Sequence, residues 1–552
     1  MSASTRLLTL AGSIAVALAL AGSVATAPAP PALLGDPTTL ATGDFDGDGD
    51  DDLAIGSPFE DVSGELNAGV VNVLYGTPGG LASTGDQLWH QRSPGVPGAL
   101  ERDDRFGWSL TVGNFNGDSY DDLAIGIPYE SYIVDSKAVV IFGRSAPPDG
   151  RVEAGAVVVL YGGPSGLSAN GSKILHQERS GVKGKGQRED HFGAALAAGD
   201  FDGDGRDELA VGIPGEDRFG MVQVFLGSAG GVTDHDQLWS QKSAGVDDDS
   251  ELGDGFGSSL AAGNFGYSTR EEDLAIGIPG EDIGSREDAG AVQILYGQPG
   301  KGLDATGVPD FFLHQDAAGV ENEAEAGDMF GWSLAVGDFG GSVQLDLAVG
   351  VPGETLSRTR QGAVHALYGG SYGISGESDQ LWSAGVSGLK GTPQTNAEFG
   401  RSLAAADFNG FSQTDLAVGV PFASGSSTAA GAVHVVHGGP LGLTATGSVA
   451  TPSQLWTRGA LGAVVASGDA FGFALAAGKF GSGLEADLAI SAPGADRLPD
   501  QNTGDVHVLY GGATGVWTTG AQLWNQDSPG VEEAAEPGDG FGGIPVSIRS
   551  RR

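Results

Sequence analysis

The stretch GDFDGDGDDDLAIGSP at residues 43–58 decides the fold, because the chain repeats it. Variants of this phrase recur at 113–128, 199–214, 263–279, 337–352, 406–421 and 478–493. The residue before the phenylalanine returns with a mean step of about 72 residues, from position 44 to position 479. A fixed period of this length indicates a repeat architecture, so nearly all of the chain after residue 36 consists of one repeated unit.

Each unit holds four short runs of β-branched and aromatic residues, bounded by Gly, Pro or Asp. In the fifth unit these runs are Trp332–Phe339, Asp346–Val351, Gly362–Tyr368 and Asp379–Ser383. No segment shows a convincing apolar period of 3.6 residues. The pattern predicts an all-β fold, a seven-bladed β-propeller of four-stranded blades. An open β-solenoid is the rival architecture, and four separate strands in each unit disfavour it.

The predicted propeller covers residues 36–545. Its blades are expected near 36–91, 106–177, 192–241, 256–315, 330–384, 399–456 and 471–526. Phe-Gly precedes six of the first strands but not the N-terminal one, and a seventh pair, Phe541-Gly542, lies near the C-terminus. We expect the closing segment 527–552 to dock beside blade one and supply the missing pair, which would remove an open sheet edge.

Residues 1–27 have the features of a secretory signal peptide. Arg6 precedes an uncharged apolar run from Leu7 to Leu20, and the small-x-small pattern Ala25-Thr26-Ala27 follows. The apolar run is short for a membrane span, so an uncleaved anchor is the weaker alternative. With a Pro-rich linker at 28–35, the mature chain is expected to be secreted, monomeric and without stable membrane insertion.

The composition excludes several classes of protein. The chain has 71 acidic and 28 basic residues and a net charge of −43, which argues against a general nucleic-acid binder. The absence of cysteine excludes disulfides, thiolate zinc sites and thiol nucleophiles.

Because strands alternate in direction within a blade, loops 1–2 and 3–4 share one face, the aspartate-loop face. Loops 2–3 and 4–1 share the opposite face, where acidic runs such as 247–251 would steer cationic partners.

The Phe-Gly and Gly-x-Pro motifs, with an Asp-rich loop between them, resemble FG-GAP repeats. These are the units of the integrin alpha-chain seven-bladed propeller and of many secreted bacterial proteins. The resemblance covers about residues 36–545 and implies calcium in the Asp-rich loops. It also implies partner contacts on the opposite face. No Arg-Gly-Asp occurs, so integrin heterodimer formation is not inferred.

Between strands one and two, three blades carry versions of the pattern D-x-D-x-D-G-x-x-D. Calcium takes about six to eight oxygen ligands, which alternate acidic side chains on a tight loop can supply. The candidate ligands are Asp44, Asp46, Asp48, Asp52 and the Asp50 carbonyl in blade one; Asn114, Asn116, Asp118, Asp122 and the Tyr120 carbonyl in blade two; and Asp200, Asp202, Asp204, Glu208 and the Arg206 carbonyl in blade three. About three Ca²⁺ sites are expected, the weakest in blade two because two of its ligands are neutral amides.

The same loops in blades four to seven depart from the pattern. Gly266, Gly340, Phe411 and Lys479 stand where acidic ligands are needed. Asp and Gly also make ordinary tight turns, and that alternative fits these four loops. It does not fit blades one and three, where unneutralised carboxylates would repel one another.

No catalytic residue is assigned, and the chain is not expected to be an enzyme. The segment Gly369–Gly373 matches the esterase motif G-x-S-x-G, but it falls in the turn predicted between strands three and four. Six histidines occupy repeat-equivalent positions typical of packed sheet residues: His90, His176 and His314 on fourth strands, and His365, His434 and His507 on third strands.

Three functions remain open from the sequence. The first is a secreted, calcium-stabilised module that binds an extracellular protein or glycan. The second is a secreted phospholipase- or esterase-like hydrolase using the central pocket, and the third is a structural envelope or matrix protein. An insertion at about 131–152 in the 2–3 loop of blade two is a candidate recognition element, because long loops on a rigid scaffold often carry binding residues.

Calcium is expected to raise the melting temperature clearly above its value in chelator, since ligand binding to the folded state alone stabilises it. Thermal unfolding followed by circular dichroism checks this. Superimposable melting curves at saturating calcium and in chelator would contradict the assignment of the loops.

Overall fold

The computed structural model describes residues 35–133, 151–268, 270–385, 388–425, 427–445, 452–481, 483–497 and 500–544. The predicted signal peptide, nearly all of the linker, most of the blade-two insertion and the end of the closing segment lie outside these ranges. Within them, seven antiparallel sheets follow one another along the chain, with the strand order 1-2-3-4 in each. No helix among the described residues is long and apolar enough to cross a membrane.

The first and second strands of the blades hold the repeated phrase. The first strands are Leu40–Gly43, Ser109–Gly113, Ala195–Gly199, Ser259–Gly263, Ser333–Gly337, Ser402–Ala406 and Leu475–Gly478. The second strands are Asp52–Ser57, Asp122–Ile127, Glu208–Ile213, Asp273–Ile278, Asp346–Val351, Asp415–Val420 and Asp487–Ala492. Each first strand contacts the first strands of both neighbouring blades, so these small-residue strands line the centre of the ring. Every residue of every second strand is buried.

The third and fourth strands complete each blade outward. The third strands are Val70–Tyr75, Ala156–Tyr161, Met221–Phe225, Ala291–Gln298, Ala363–Tyr368, Ala432–Val436 and Asp505–Tyr510. The fourth strands are Ala82–Trp89, Ser168–Leu175, Asp236–Trp239, Phe311–Leu313, Ser375–Trp382, Gln454–Trp456 and Trp517–Trp524. In blade four a short strand, Gly302–Asp304, also pairs with the end of the third strand. The remaining elements are the hairpin Ser131–Ile133 with Arg151–Glu153 and the 3-10 turns Glu216–Arg218 and Arg458–Leu461.

Several predicted strand boundaries were wrong. In blade five the first strand ends at Gly337 rather than Phe339, and the fourth begins at Ser375 and ends at Trp382. His90, His176 and His314 lie just after fourth strands, not on them. The chain turns there, because each of these carbonyl groups accepts a hydrogen bond from the amide three residues later, at 2.9–3.1 Å.

The hydrophobic core lies between neighbouring blades. One buried cluster, for example, combines Phe45 and Val71 of blade one with Phe106, Leu110 and Leu123 of blade two. The phenylalanine of each described Phe-Gly pair is fully buried. No blade buries its apolar faces alone, which is why the units are stable only as neighbours.

The Phe-Gly glycine is required by backbone geometry. Gly107 has φ +86°, a region that L-residues with a side chain seldom adopt. Its carbonyl oxygen lies only 2.1 Å from where a β-carbon on Gly56 of the preceding blade would be. The glycine of Phe-Gly and the glycine of the second strand therefore allow two blades to approach backbone to backbone.

The C-terminal segment closes the ring between blades seven and one. The amide of Phe541 donates to the Thr503 carbonyl at 2.9 Å, and the amide of Gly542 donates to the Gly56 carbonyl at 3.1 Å. Gly542 also accepts a hydrogen bond from the buried Thr39 hydroxyl at 2.8 Å. The bond from Phe541 has an equivalent between internal blades, where the amide of Phe192 donates to the Ala154 carbonyl.

The close approach of the blades can be tested at Gly331, which has φ +87° and whose added β-carbon would lie 2.5 Å from the Ala291 carbonyl oxygen. Gly331→Ala is expected to cost about 1–3 kcal/mol more stability than Gly284→Ala, because forced overpacking adds to backbone strain. Gly284 is a matched control with φ +69° and open space around it. Equal losses in denaturant unfolding would show that strain alone, not blade contact, requires the glycine.

Candidate metal centres

The aspartate loops are held in shape by their own first side chain. In blade one the Asp44 carboxylate accepts hydrogen bonds from the amides of Gly47, Asp48 and Gly49 at 2.7–3.0 Å. Gly47 and Gly49 have φ of +75° and +96°, which explains why the pattern alternates acid with glycine. In blade three Asp200 accepts from the amides of Asp204 and Gly205 in the same way.

Carboxylate oxygens converge in two of the three predicted loops. Ligand atoms of Asp44, Asp46 and Asp48 lie within 4.8 Å of one another in blade one. In blade three the converging residues are Asp200, Asp202 and Glu208. Such sets of hard oxygen donors are suited to calcium and not to metals that prefer nitrogen or sulfur. The two loops therefore fit a bound calcium ion, for which these side chains would be ligands.

Asp52, the ninth residue of the pattern, lies outside the converging set of blade one. Its carboxylate accepts hydrogen bonds from the amides of Phe45 and Gly76, at 2.8 and 2.9 Å. The equivalent acid bonds the same phenylalanine amide in all seven blades, including the four without an acidic loop. The acid at this position therefore fixes the backbone of its own blade, whether or not the loop has further acids. Burial raises the pKa of Asp52 to about 8 and that of Glu208 to about 8, which a nearby cation would oppose.

The carboxylate at the fifth position of the pattern accepts a hydrogen bond from the backbone amide two residues later. The amide of Asp50 donates to Asp48 at 2.9 Å, that of Tyr120 to Asp118 at 2.8 Å, and that of Arg206 to Asp204 at 3.0 Å. The backbone amide of the seventh residue is therefore hydrogen-bonded in all three blades. The backbone carbonyl of the same residue is the group predicted to bind calcium. In blade three Asp204 also forms an ion pair with the Arg206 guanidinium at 2.9 Å and is not in the converging set.

Blade two has the same loop conformation with fewer charges. Asn114 accepts from the amide of Gly117 at 2.8 Å, and Asn116 accepts from the amide of Asp118 at 2.7 Å. The Asn114 side-chain amide donates to the Asp118 carbonyl, and the Asn116 amide contacts Asp122 at 3.4 Å. Asn114 and Asn116 thus keep the loop conformation without adding carboxylates, and the weaker calcium binding of blade two stays a prediction.

A second acid beside the ninth position joins neighbouring blades, a role that the sequence analysis did not assign. Asp121 accepts from the amide of Asp44 at 3.0 Å, and Asp207 accepts from the amide of Asn114 at 2.7 Å. In return, the carbonyl of the residue before each Phe accepts an amide from the next blade, all around the ring. At the closure Asp51 pairs with Lys479 through both bonds, each 2.7 Å.

In blade six a buried histidine contacts two of the remaining candidate residues, Asn409 and Asp415. Asp407 still accepts amides of its loop, as Asp44 does. However, Nδ1 of the buried His437 lies 3.2 Å from Asp415 and 3.0 Å from the Asn409 amide. His437 stands where most blades have a tyrosine at the end of strand three, and that substitution is the signal that the sequence offered.

The central cavity holds about 280 Å³ and is bounded by first strands. Its lining includes Asp36 and Arg401, which form an ion pair, and the hydroxyls of Ser259, Ser333 and Ser402. These hydroxyls donate to glycine carbonyls of the next blade at 2.7–2.8 Å. No histidine is among the described residues that line it. The exposed Ser371 of the esterase-like match lies in a turn that leads into a strand, not a helix.

Neutralising one converging carboxylate should weaken one calcium site. Asp46→Asn and Asp202→Asn are each expected to lower the affinity of one site at least tenfold, measured by calorimetric titration of the full chain. Asp407→Asn in blade six is the matched control, because that loop has the same hydrogen bonds without the converging acids. Unchanged calcium affinity in both test variants would overturn the ligand assignment.

Comparison with known proteins agrees with this architecture. A model of the FG-GAP repeat matches residues 37–74, 106–160, 192–233 and 399–436. Integrin alpha-PS2 of Drosophila melanogaster is 35% identical over 195 residues, 34% of this chain and 12% of that protein. Phosphatidylinositol-glycan-specific phospholipase D of Bos taurus is 32% identical over 170 residues, 30% of this chain and 19% of the enzyme.

Integrin alpha-5 of Xenopus laevis is 29% identical over 251 residues, 44% of this chain and 20% of that protein. The chain therefore aligns with only 12–20% of the length of these three relatives. The structure is a seven-bladed β-propeller with FG-GAP repeats in the four matched segments, and its sequence is similar to parts of integrin alpha chains.

Proposed function

We propose that this propeller is a secreted, calcium-stabilised module that binds an extracellular protein or glycan. The observation that carries the proposal is the convergence of carboxylate oxygens in the loops of blades one and three. Calcium is commonly available outside the cytoplasm, where such loops would be filled. The ion would offset the repulsion between the acids and hold the loops rigid as part of a binding scaffold.

The relatives support an extracellular setting but divide on activity. Integrin alpha chains and a phosphatidylinositol-glycan-specific phospholipase D share this type of repeat. The matched part is a minor share of each relative, so neither activity follows for this chain. The serines of the central cavity, bonded to backbone carbonyls, give no observation that favours a hydrolase.

Exposed apolar side chains suggest where a partner would bind. The aspartate-loop face of blades four to seven carries Tyr267, Val343, Tyr372, Leu441 and Leu484 on its loops, each at least 47% exposed. Tyr267 and Tyr372 come from neighbouring blades, and their ring centroids lie 6.3 Å apart. Adjacent exposed tyrosines combine apolar surface with hydroxyl groups, as protein and glycan recognition sites do.

This location differs from the one that the resemblance suggested, which was the opposite face. The insertion at 131–152 lies mostly outside the described residues, so its recognition role stays a prediction. On the aspartate-loop face, by contrast, the exposed side chains of blades four to seven lie on the same face of the propeller as the acidic loops of blades one to three. Calcium binding in blades one to three would stiffen the same face that presents the two tyrosines.

A binding screen against glycans and extracellular proteins, with calcium and with chelator, tests the proposal. We expect calcium-dependent binding that falls at least tenfold in Tyr267→Ala/Tyr372→Ala, since aromatic anchors dominate such interfaces. Leu252→Ala is the control, because Leu252 is 60% exposed on the opposite face.

Two results would count against the proposal. The double variant could retain full affinity, which would place the partner elsewhere. Alternatively, no ligand could be found while the chain turns over a lipid or ester substrate, which would favour the hydrolase.

A further inference from the structure

The opposite face contains a buried set of three polar side chains in five of the seven blades. A glutamine follows the fourth strand of one blade, an aspartate stands two residues before the next Phe-Gly, and a glutamate stands two residues after the next Gly-x-Pro or its equivalent. The sets are Gln526, Asp539 and Glu60; Gln91, Asp104 and Glu130; Gln177, Asp190 and Glu216; Gln241, Asp254 and Glu281; and Gln315, Asp328 and Glu354. Each of these side chains belongs to a residue no more than 4% exposed.

The glutamine in every set has one satisfied and one unsatisfied group. Its Nε2 donates to the glutamate of its own set, at 2.8 Å from Gln177, 2.5 Å from Gln241 and 2.6 Å from Gln315. Its Oε1 has no hydrogen-bond partner in any of the five sets. A buried carbonyl oxygen without a donor is costly, so an electron-pair acceptor beside it would stabilise the structure.

The two remaining blades show that the set is replaced as a whole. In blade six all three positions are alanine, at 384, 397 and 423, and these residues line a cavity of about 240 Å³. In blade seven the glutamate is replaced by Ala495 and the glutamine by Arg458. The guanidinium of Arg458 contacts the remaining acid, Asp469, at 2.7 Å. Where one acid of the set remains alone, a positive charge accompanies it.

In blades four and five a third, exposed carboxylate converges with the buried pair, whereas Glu536 and Glu101, at the equivalent sequence position in blades one and two, belong to no such converging group among the described residues. Ligand atoms of Glu251, Asp254 and Glu281 lie within 4.8 Å of one another, and so do those of Glu325, Asp328 and Glu354. Glu354 is fully buried, and its Oε2 accepts a hydrogen bond from Gln315. Gln241 and Gln315 are bonded to the glutamates of these clusters, so their free Oε1 atoms lie beside the same carboxylates.

We propose that these two clusters are calcium sites on the opposite face, separate from the aspartate loops. Each offers three carboxylates and an amide oxygen, the donor set that calcium prefers, and no nitrogen or sulfur ligand. The exposed Glu251 and Glu325 give the ion a route from solvent to the buried oxygens. In blade three, position 187 is glutamine instead of the exposed acid, so its set lacks the third carboxylate.

The test replaces all three residues of a set by alanine, the residue found at these positions in blade six. Gln241→Ala/Asp254→Ala/Glu281→Ala and Gln315→Ala/Asp328→Ala/Glu354→Ala are each expected to lose one Ca²⁺ in equilibrium dialysis of the full chain. Gln177→Ala/Asp190→Ala/Glu216→Ala is the matched control, expected to keep the full stoichiometry. The aspartate loops are intact in all three variants, so failure of this inference is distinguishable from failure of the loop sites.

A milder pair of variants decides the question if a triple variant does not fold. Glu251→Gln and Glu325→Gln change only exposed side chains, and their backbone amides still donate to Asp254 and Asp328. Each is expected to weaken one class of calcium site at least tenfold in calorimetric titration. Unchanged affinity and stoichiometry would overturn the proposal and assign these pairs to shared protons instead.

Discussion

The structure depends on one contact, the backbone approach between neighbouring blades at the Phe-Gly motif. The carbonyl oxygen of Gly107 comes so close to Gly56 that no side chain fits there, and the buried Phe106 fills the space between the two sheets. Because this contact recurs around the ring and is completed by Gly542, each blade is positioned by its neighbours. The shape of the loops at both faces then follows from a scaffold whose spacing is set by glycine.

The repeated acids fall into two groups, which the blades without acidic loops distinguish. The ninth-position carboxylate accepts backbone amides in every blade, so it is retained where no alternating acids accompany it. The alternating acids before it occur as a full set only in blades one and three. In blade six, where the alternating acids are incomplete, His437 and Asn409 both contact Asp415 instead. The anchoring acid and the alternating acids can therefore vary independently in the same repeat.

Much of the fold could be read from the sequence, since the period, the Phe-Gly pairs and the buried second strands are local patterns. Strand boundaries were less predictable: His314 is flanked by strand-like residues, but its carbonyl begins a turn. Among the candidate ligands, the alternation of Asp44, Asp46 and Asp48 was sufficient to predict their convergence. The sequence pattern did not distinguish Asp52, which lies outside the converging set of blade one, from Glu208, which lies inside that of blade three although both accept equivalent backbone amides.

The sequence by itself determined the number of blades, the glycines at their contacts and the loops with alternating acids. These features depend on period and on local backbone conformation, which neighbouring residues encode. Only the tertiary structure decided that Asp121 and Asp207 join blades, that His437 approaches Asp415, and that Gln241, Asp254 and Glu281 meet in a buried cluster. The bonded partners in these contacts lie 22 to 93 residues apart along the chain, and strand pairing within a blade and packing between consecutive blades bring them within bonding distance.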